Sequence, residues 1–461
     1  MDRKVFIINI AAMLLFSLCI RIYVFQTNGM IYFGDSIEYL EVIRNISEEK
    51  GFSQIDIVTN KILPYANKPP LFFYTVALTK YITTNFENGI FILNIISSIL
   101  IILLSIKFSL ILSSNKVISL MVGWMMTLNP NLIFNSFLLM PDTYYSLVII
   151  IFTFIGLYTL KEKKSHLFLV LGMFLGITVL TRSLLKFFWI FISLFILFYI
   201  KKEIKQKLKY IFLFIFGYAI IVLPYQFRNF TKLGVFSPLE LHQGIASIWP
   251  VMPLIKVTDY SSLFKKYPRT QQIINFIKDK DYEIPPEKDL RLKFKLSQSE
   301  MAKYLTLIAI HTAIKHPIKY FKIYIKSILN TITSSSSYLM LIDIFNPGYF
   351  EKQHSIFLNF INNNFNTENF KNFINYILPN LFFRLLNLLI FITAIAGIIL
   401  YNRIGKKDTN LYPVVLLFYT IVFSSFTVGY DRYRLPAEFI ILFYSSYFIY
   451  ERFIKYSKIN F

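Results

Sequence analysis

Residues 89–112 read GIFILNIISSILIILLSIKFSLIL, a run whose only charged side chain is Lys107. It has the length, roughly 18 to 25 residues, at which an α-helix crosses the hydrocarbon core of a bilayer. Its apolar positions are continuous, whereas a strand of a membrane barrel would alternate. Similar blocks recur at 5–26, 117–137, 142–160, 167–182, 184–200, 210–227, 381–402, 411–428 and 435–451. The expected fold is therefore an all-α polytopic membrane protein of about ten spans. Composition agrees: of 461 residues 55% are hydrophobic, 18% aromatic and 16% charged, with mean hydropathy +0.54. Soluble domains carry about 25% charged residues.

A net charge of +22 in a soluble protein would suggest nucleic acid. Here the basic residues sit at the ends of apolar blocks, so their reading is topological and no nucleic-acid partner is expected. A cytoplasmic N-terminus puts Arg3 and Lys4, Lys116, Lys161–Lys164, Lys201–Lys209, Arg403–Lys407 and the tail Arg452–Lys458 all inside. Both termini are then cytoplasmic, and the chain is a multi-pass protein of the inner or plasma membrane. Cys19, the single cysteine, has no intrachain partner, so cysteine usage does not report the redox compartment. Leu18 before it is too large for a cleavage site, which leaves the first block as a signal anchor.

The same topology divides the chain into a membrane module at 1–227 with a long first outer loop at 27–88, an outer, mostly helical domain at 228–380, and closing spans at 381–461. Long loops are largely exempt from the charge rule. Ser237-Pro238-Leu239-Glu240 and Ser297-Gln298-Ser299-Glu300 have capping-box form. The stretch Pro317–Leu341 is apolar yet carries Lys319, Lys322 and Lys326, which suits a helix lying in the membrane interface. Asn362–Asn372 reads as a solvated linker.

Unusual polar residues gather at the outer ends of the blocks: Gly34-Asp35-Ser36-Ile37-Glu38-Tyr39, Asn67-Lys68-Pro69-Pro70-Leu71, Met140-Pro141-Asp142-Thr143, Arg182, Arg228-Asn229, and Asp431-Arg432-Tyr433-Arg434-Leu435-Pro436. Clusters distant in sequence but sharing one face suit a composite site. Each also has a structural reading. Asp35 with Glu38 has the form of a helix N-cap and box partner, opening an amphipathic helix whose Ile37, Leu40, Ile43 and Ile46 would face the membrane. Asp142 after Pro141 would cap its span, and Arg432 and Arg434 would be interfacial anchors. Lys68-Pro69-Pro70 is the most specific: proline at the first helical turn leaves an N-terminus beside an ammonium, which favours a phosphate.

In this order and spacing, Gly34-Asp35 with Tyr39, Lys68-Pro69-Pro70-Leu71, Pro141-Asp142-Thr143, Thr181-Arg182, Leu223-Pro224-Tyr225-Gln226-Phe227-Arg228-Asn229 with Gly234, Phe236 and Gly244, and Arg432-Tyr433-Arg434-Leu435-Pro436-Ala437-Glu438 resemble family 39 membrane glycosyltransferases of the GT-C superfold. These include protein O-mannosyltransferases and lipid A aminoarabinose transferases. The resemblance spans nearly the whole chain. It implies a GT-C-like bundle, and transfer of a sugar from a polyprenyl phosphate, with inversion, to a hydroxyl or phosphate of a lipid, glycan or protein acceptor at the outer face. By this correspondence Asp35 is the candidate base or acceptor-orienting group, with Asp142 second. Lys68 is the ligand of the donor phosphate, and membrane lipids surround the site. Two departures bear on substrate: Ser36 stands where the mannosyltransferases have the second acid of a pair, and Asn67 where the aminoarabinose transferases have Glu.

The chemistry agrees with these residues. A polyprenyl phosphate leaves as a stable anion and needs positive charge, not protonation; Lys68, Arg182, Arg228 and Arg434 are the candidates. Single displacement needs one carboxylate. Tyr39, Glu38 and Arg432, in the same clusters, are assigned to substrate binding. No cofactor is assigned: the histidines His166, His242, His311, His316 and His354 lack metal-ligand spacing, and no Walker A or dinucleotide fingerprint occurs. Asp279-Lys280-Asp281 reads as a solvated turn. The competing functions are a lipid-linked polysaccharide polymerase or ligase, which also works outside, and a lipid or sugar flippase. The latter usually carries broken helices and acids at mid-membrane, whereas the spans assigned here hold no Asp or Glu near their centres.

Overall fold

The computed structural model describes residues 2–455 apart from 33, 84, 235–240, 281–286, 347–372, 404–406 and 427–428. The chain is an all-α membrane protein. Among the described residues the only sheet is a hairpin, Ser53–Ile55 against Ile62–Pro64. Among the described residues five helices are long and apolar enough to cross a membrane: Arg3–Asn28, Phe86–Ser113, Asp142–Glu162, Ile204–Leu233 and Leu378–Arg403. The other expected spans are shorter helices, Lys116–Thr127, Ser165–Thr181, Phe188–Tyr199, Lys407–Ser424 and Glu438–Ile449. The block read as 117–137 is broken, because Asn129 accepts from the Leu132 N–H at 3.0 Å and starts a separate helix, Pro130–Asn135. An Asn N-cap followed by proline is a helix start, and here it overrides apolar continuity.

Ser165–Thr181 and Ile204–Leu233 pack with their backbones in close contact. A Cβ at Gly172 would overlap the Phe214 carbonyl, and one at Gly217 the Leu169 carbonyl. Small residues at such crossings let helices associate where lipid supplies no hydrophobic drive.

The first loop folds onto the bundle. Its helix Ser36–Ser47 buries Tyr39, Val42 and Ile43 and leaves Ile37 73% exposed. The expected membrane-facing row therefore does not form: Ile43 belongs to the protein core. Tyr39 stacks on Phe73 of the helix Leu71–Ala77 at 4.8 Å.

A second, smaller core is built from residues 241–309 around Ile248, Ile274, Leu290 and Ile308. Its helix Gln298–Lys315 starts with the expected box: Ser297 accepts from the Glu300 N–H, and the Glu300 carboxylate accepts from the Ser297 N–H at 3.0 Å. The Ser237–Glu240 box and the Asn362–Asn372 stretch lie outside the described residues. The apolar stretch 317–341 forms two helices, Pro317–Thr333 and Ser336–Phe345. The first exposes Ile318, Phe321, Ile325 and Leu329 along one face. Its other side joins the apolar bundle: the Ser327 hydroxyl donates to the Ser425 carbonyl and the Tyr324 hydroxyl to the Val422 carbonyl, each at 2.7 Å.

Candidate active site

Gly34, at φ +55°, turns the chain into the helix Ser36–Ser47 in a conformation that side-chain-bearing residues avoid. Asp35 occupies the N-cap position but makes no side-chain cap bond. Its Oδ2 lies 2.8 Å from Lys68 Nζ. Glu38, the would-be box partner, accepts instead from Asn67 Nδ2 at 2.8 Å. Both acids of the apparent capping box thus turn toward Asn67-Lys68. That segment is pinned on its far side, where the Leu241 N–H donates to the Ala66 carbonyl at 3.0 Å and the Tyr225 hydroxyl to the Lys68 carbonyl at 3.3 Å. Lys68 is 7% exposed.

Asp142, 2% exposed, opens its helix without capping it and pairs with the Arg182 guanidinium. Its second oxygen, Oδ2, is buried with no hydrogen-bond partner. Arg182 follows the last turn of Ser165–Thr181 and lies 5.3 Å from the centre of the Tyr433 ring; Arg432 lies 5.1 Å from the same ring. The turn carrying Arg432 is fixed by Asp431, whose carboxylate accepts from the Ser336 hydroxyl and the Ser337 N–H, each at 2.7 Å.

Asp35, Tyr39, Lys68, Asp142, Arg182 and Arg432 line one cavity of about 660 Å³. Its remaining wall is largely apolar, with Leu184, Phe187, Ile310, Ala313, Phe423 and Phe426. Glu38 stands behind it on Asn67. Arg228 and Arg434 do not line it. Arg228 donates to the Tyr65 and Phe52 carbonyls, each at 2.6 Å, and holds the first-loop hairpin. Arg434 is buried, pairs with Glu438 at 3.0 Å and donates to the Thr331 and Ile332 carbonyls. Sequence reading missed His242, Lys186, Trp249 and Tyr433, which also line the cavity. Tyr433 lies inside a quoted motif; the others carry no spacing signal. Among the described residues no three His, Cys, Asp or Glu side chains come together as metal ligands.

Burial by itself would raise the Asp35 carboxyl, but Lys68, with His242 and Arg432, outweighs it and brings the group down to about 2. Burial, reinforced by Lys68, brings His242 down to about 3, so its imidazole is neutral at pH 7. Burial raises Glu38 despite the opposing Lys68 and Asn67. The Tyr433 phenol, which burial would raise, is lowered by Arg432 and Arg182. The cavity is thus an electropositive pocket holding the ionised Asp35 carboxylate, with a largely apolar wall.

No family profile and no curated protein matches the chain. Among solved structures it is similar to ArnT from Cupriavidus metallidurans bound to undecaprenyl phosphate, at 12% identity and TM-score 0.42 over 95% of this chain and 78% of that one. The apo state of the same protein gives 11% identity and TM-score 0.35, over 95% and 76%. A likeness this loose carries no functional weight.

Proposed function

We propose that the chain is a membrane glycosyltransferase that moves a sugar from a polyprenyl-phosphate carrier to an acceptor at the outer face, with inversion. The observation that carries this reading is the convergence of Asp35, Lys68, Asp142, Arg182 and Arg432, remote in sequence, on one cavity whose other wall is apolar. Cations for an anionic leaving group, carboxylates for an attacking hydroxyl and an apolar surface for an isoprenoid are the parts that this reaction needs.

In the proposed reaction an acceptor oxygen attacks the anomeric carbon while the bond from that carbon to the phosphate oxygen breaks. The polyprenyl phosphate leaves with the electron pair, and a hydroxyl acceptor gives its proton to a carboxylate. Lys68 is shared: without donor it neutralises Asp35, and with donor it turns part of its charge to the phosphate. Asp35 then loses countercharge and becomes more basic, so donor binding prepares the base. Asp142 holds Arg182 with one oxygen and offers the unpartnered Oδ2 to a substrate hydroxyl. Arg182 and Arg432 stabilise charge as the phosphate departs.

The test is mass spectrometry of lipid, glycan and protein fractions from a deletion strain and the same strain complemented with the wild-type gene. One sugar missing in the first and restored in the second supports the reading. Identical fractions contradict it.

A further inference from the structure

We infer that Arg21, inside the membrane-spanning helix Arg3–Asn28, is a positioning residue that fixes the two candidate acids relative to each other. Only its kinetic consequence rests on the proposed transfer reaction. Arg21 is 0% exposed. An ionised side chain buried in a span is costly and points to function when it persists. Its Nε donates to the Ser136 hydroxyl at 3.0 Å, and its Nη1 to the Ser17 hydroxyl and carbonyl at 2.7 and 3.1 Å. None of these acceptors is a carboxylate, and among the described residues Nη2 is buried with no hydrogen-bond partner. A Met or Leu would fill the same place without that desolvation cost.

What the guanidinium holds is the start of the loop that leads into the helix opened by Asp142. Ser136 is gripped from a second membrane helix as well: the Ser98 hydroxyl lies 2.9 Å from its own, and Asn94 Nδ2 donates to the Ser136 and Leu138 carbonyls at 3.3 and 3.2 Å. The segment so fixed pairs with the approach to Asp35. The Ile31 N–H donates to the Phe137 carbonyl at 2.8 Å, the Leu139 N–H to the Ile31 carbonyl at 3.3 Å, and the Ser36 hydroxyl to the Leu139 carbonyl at 3.4 Å. Beyond this bridge one segment leads to Gly34 and Asp35, and the other to Met140, Pro141 and Asp142; all five line the cavity. Arg21 therefore anchors the backbone link that joins the two acids. Its planar fork reaches Ser17 and Ser136 in two directions, which a lysine ammonium reproduces poorly.

The test uses the purified full chain in detergent. Arg21→Met is expected to speed hydrogen exchange at the Ile31 and Leu139 amides by about tenfold or more, with span amides unchanged and Tm no lower than wild type. Arg21→Lys recovers part of the protection. Unchanged exchange at those two amides overturns the proposal, and so does a uniform rise accompanied by a lower Tm, which marks a residue of general stability. If Arg21→Met does not fold, Ser136→Ala is read against Ser98→Ala: the first removes the Arg21 and Ser98 contacts together and the second only the Ser98 contact, so local acceleration in Ser136→Ala beyond that in Ser98→Ala supports the proposal and equal exchange in the two overturns it. Where a transfer product is identified, Arg21→Met slows its formation about 10- to 100-fold with polyprenyl phosphate affinity unchanged. The exchange result stands or falls whether or not the chain is a transferase, so the two ideas fail separately.

Discussion

The Lys68 ammonium stands 2.8 Å from the Asp35 carboxylate, and this ion pair replaces the helix cap that Asp35 is placed to make. Asp35→Asn should consequently leave the helix Ser36–Ser47 intact, since no side-chain cap bond is lost. Transfer should fall about 100- to 10,000-fold, the range typical of a positioned general base. Freed of its partner, Lys68 should bind polyprenyl phosphate at least as tightly as in wild type. Circular dichroism, transfer rate and carrier affinity on one preparation check all three; retained transfer in a folded variant contradicts the role.

Acid sensitivity should have two windows. His242, held down to about 3, binds fewer protons in the folded than in the unfolded chain, so stability is full above its unfolded value of about 6.5 and declines as pH falls from there. Asp35, held at about 2, adds stability that is complete above its unfolded value of about 3.9 and is lost as pH falls through 2. Because Asp35 is partly exposed, its share is discounted to about 1 kcal/mol. In thermal unfolding against pH, His242→Gln should remove the upper window and Asp35→Asn the lower.

Arg434 and Glu438 form a buried pair at 3.0 Å away from the cavity lining. Arg434→Gln should leave Glu438 buried without its cation and cost about 3 to 5 kcal/mol of stability. Polyprenyl phosphate affinity of the folded fraction should be unchanged. A stable variant with weakened binding would return Arg434 to the phosphate site.

Asp142→Asn tests the other acid. The amide keeps an oxygen for Arg182 but places an N–H₂ in the buried position of Oδ2, where a substrate hydroxyl needs an acceptor. We expect carrier affinity to hold and transfer to drop about 100-fold or more. Transfer near the wild-type rate would make Asp142 only the anchor of Arg182.

The helical class and most of the charged residues that line the cavity were legible because their signals are local. Apolar length marked the long spans, Ser297 and Glu300 announced their own cap, and Lys68-Pro69-Pro70 marked a turn beside the site. What was not legible depends on partners remote in sequence. Asp35-x-x-Glu38 is locally identical whether it caps a helix or faces Asn67 and Lys68. Arg228 and Arg434 sit in motifs as suggestive as that of Arg182, and only the fold shows their guanidinium groups bonded to backbone carbonyls. His242 enters because backbone bonds from Leu241 and His242 lay the second core against Ala66 and Asn67. No periodicity in either segment announces that pairing.

In the proposed reaction Lys68 is the residue through which this cavity holds the phosphate of the polyprenyl carrier. Polyprenyl phosphate affinity, measured on purified wild-type and Lys68→Gln protein in detergent, tests it most directly. Wild type should bind measurably, Lys68→Gln should bind about tenfold or more weakly for want of one charge-assisted contact, and Lys68→Arg should recover part of the loss. Equal affinities for wild type and Lys68→Gln, or no binding to either, would contradict it.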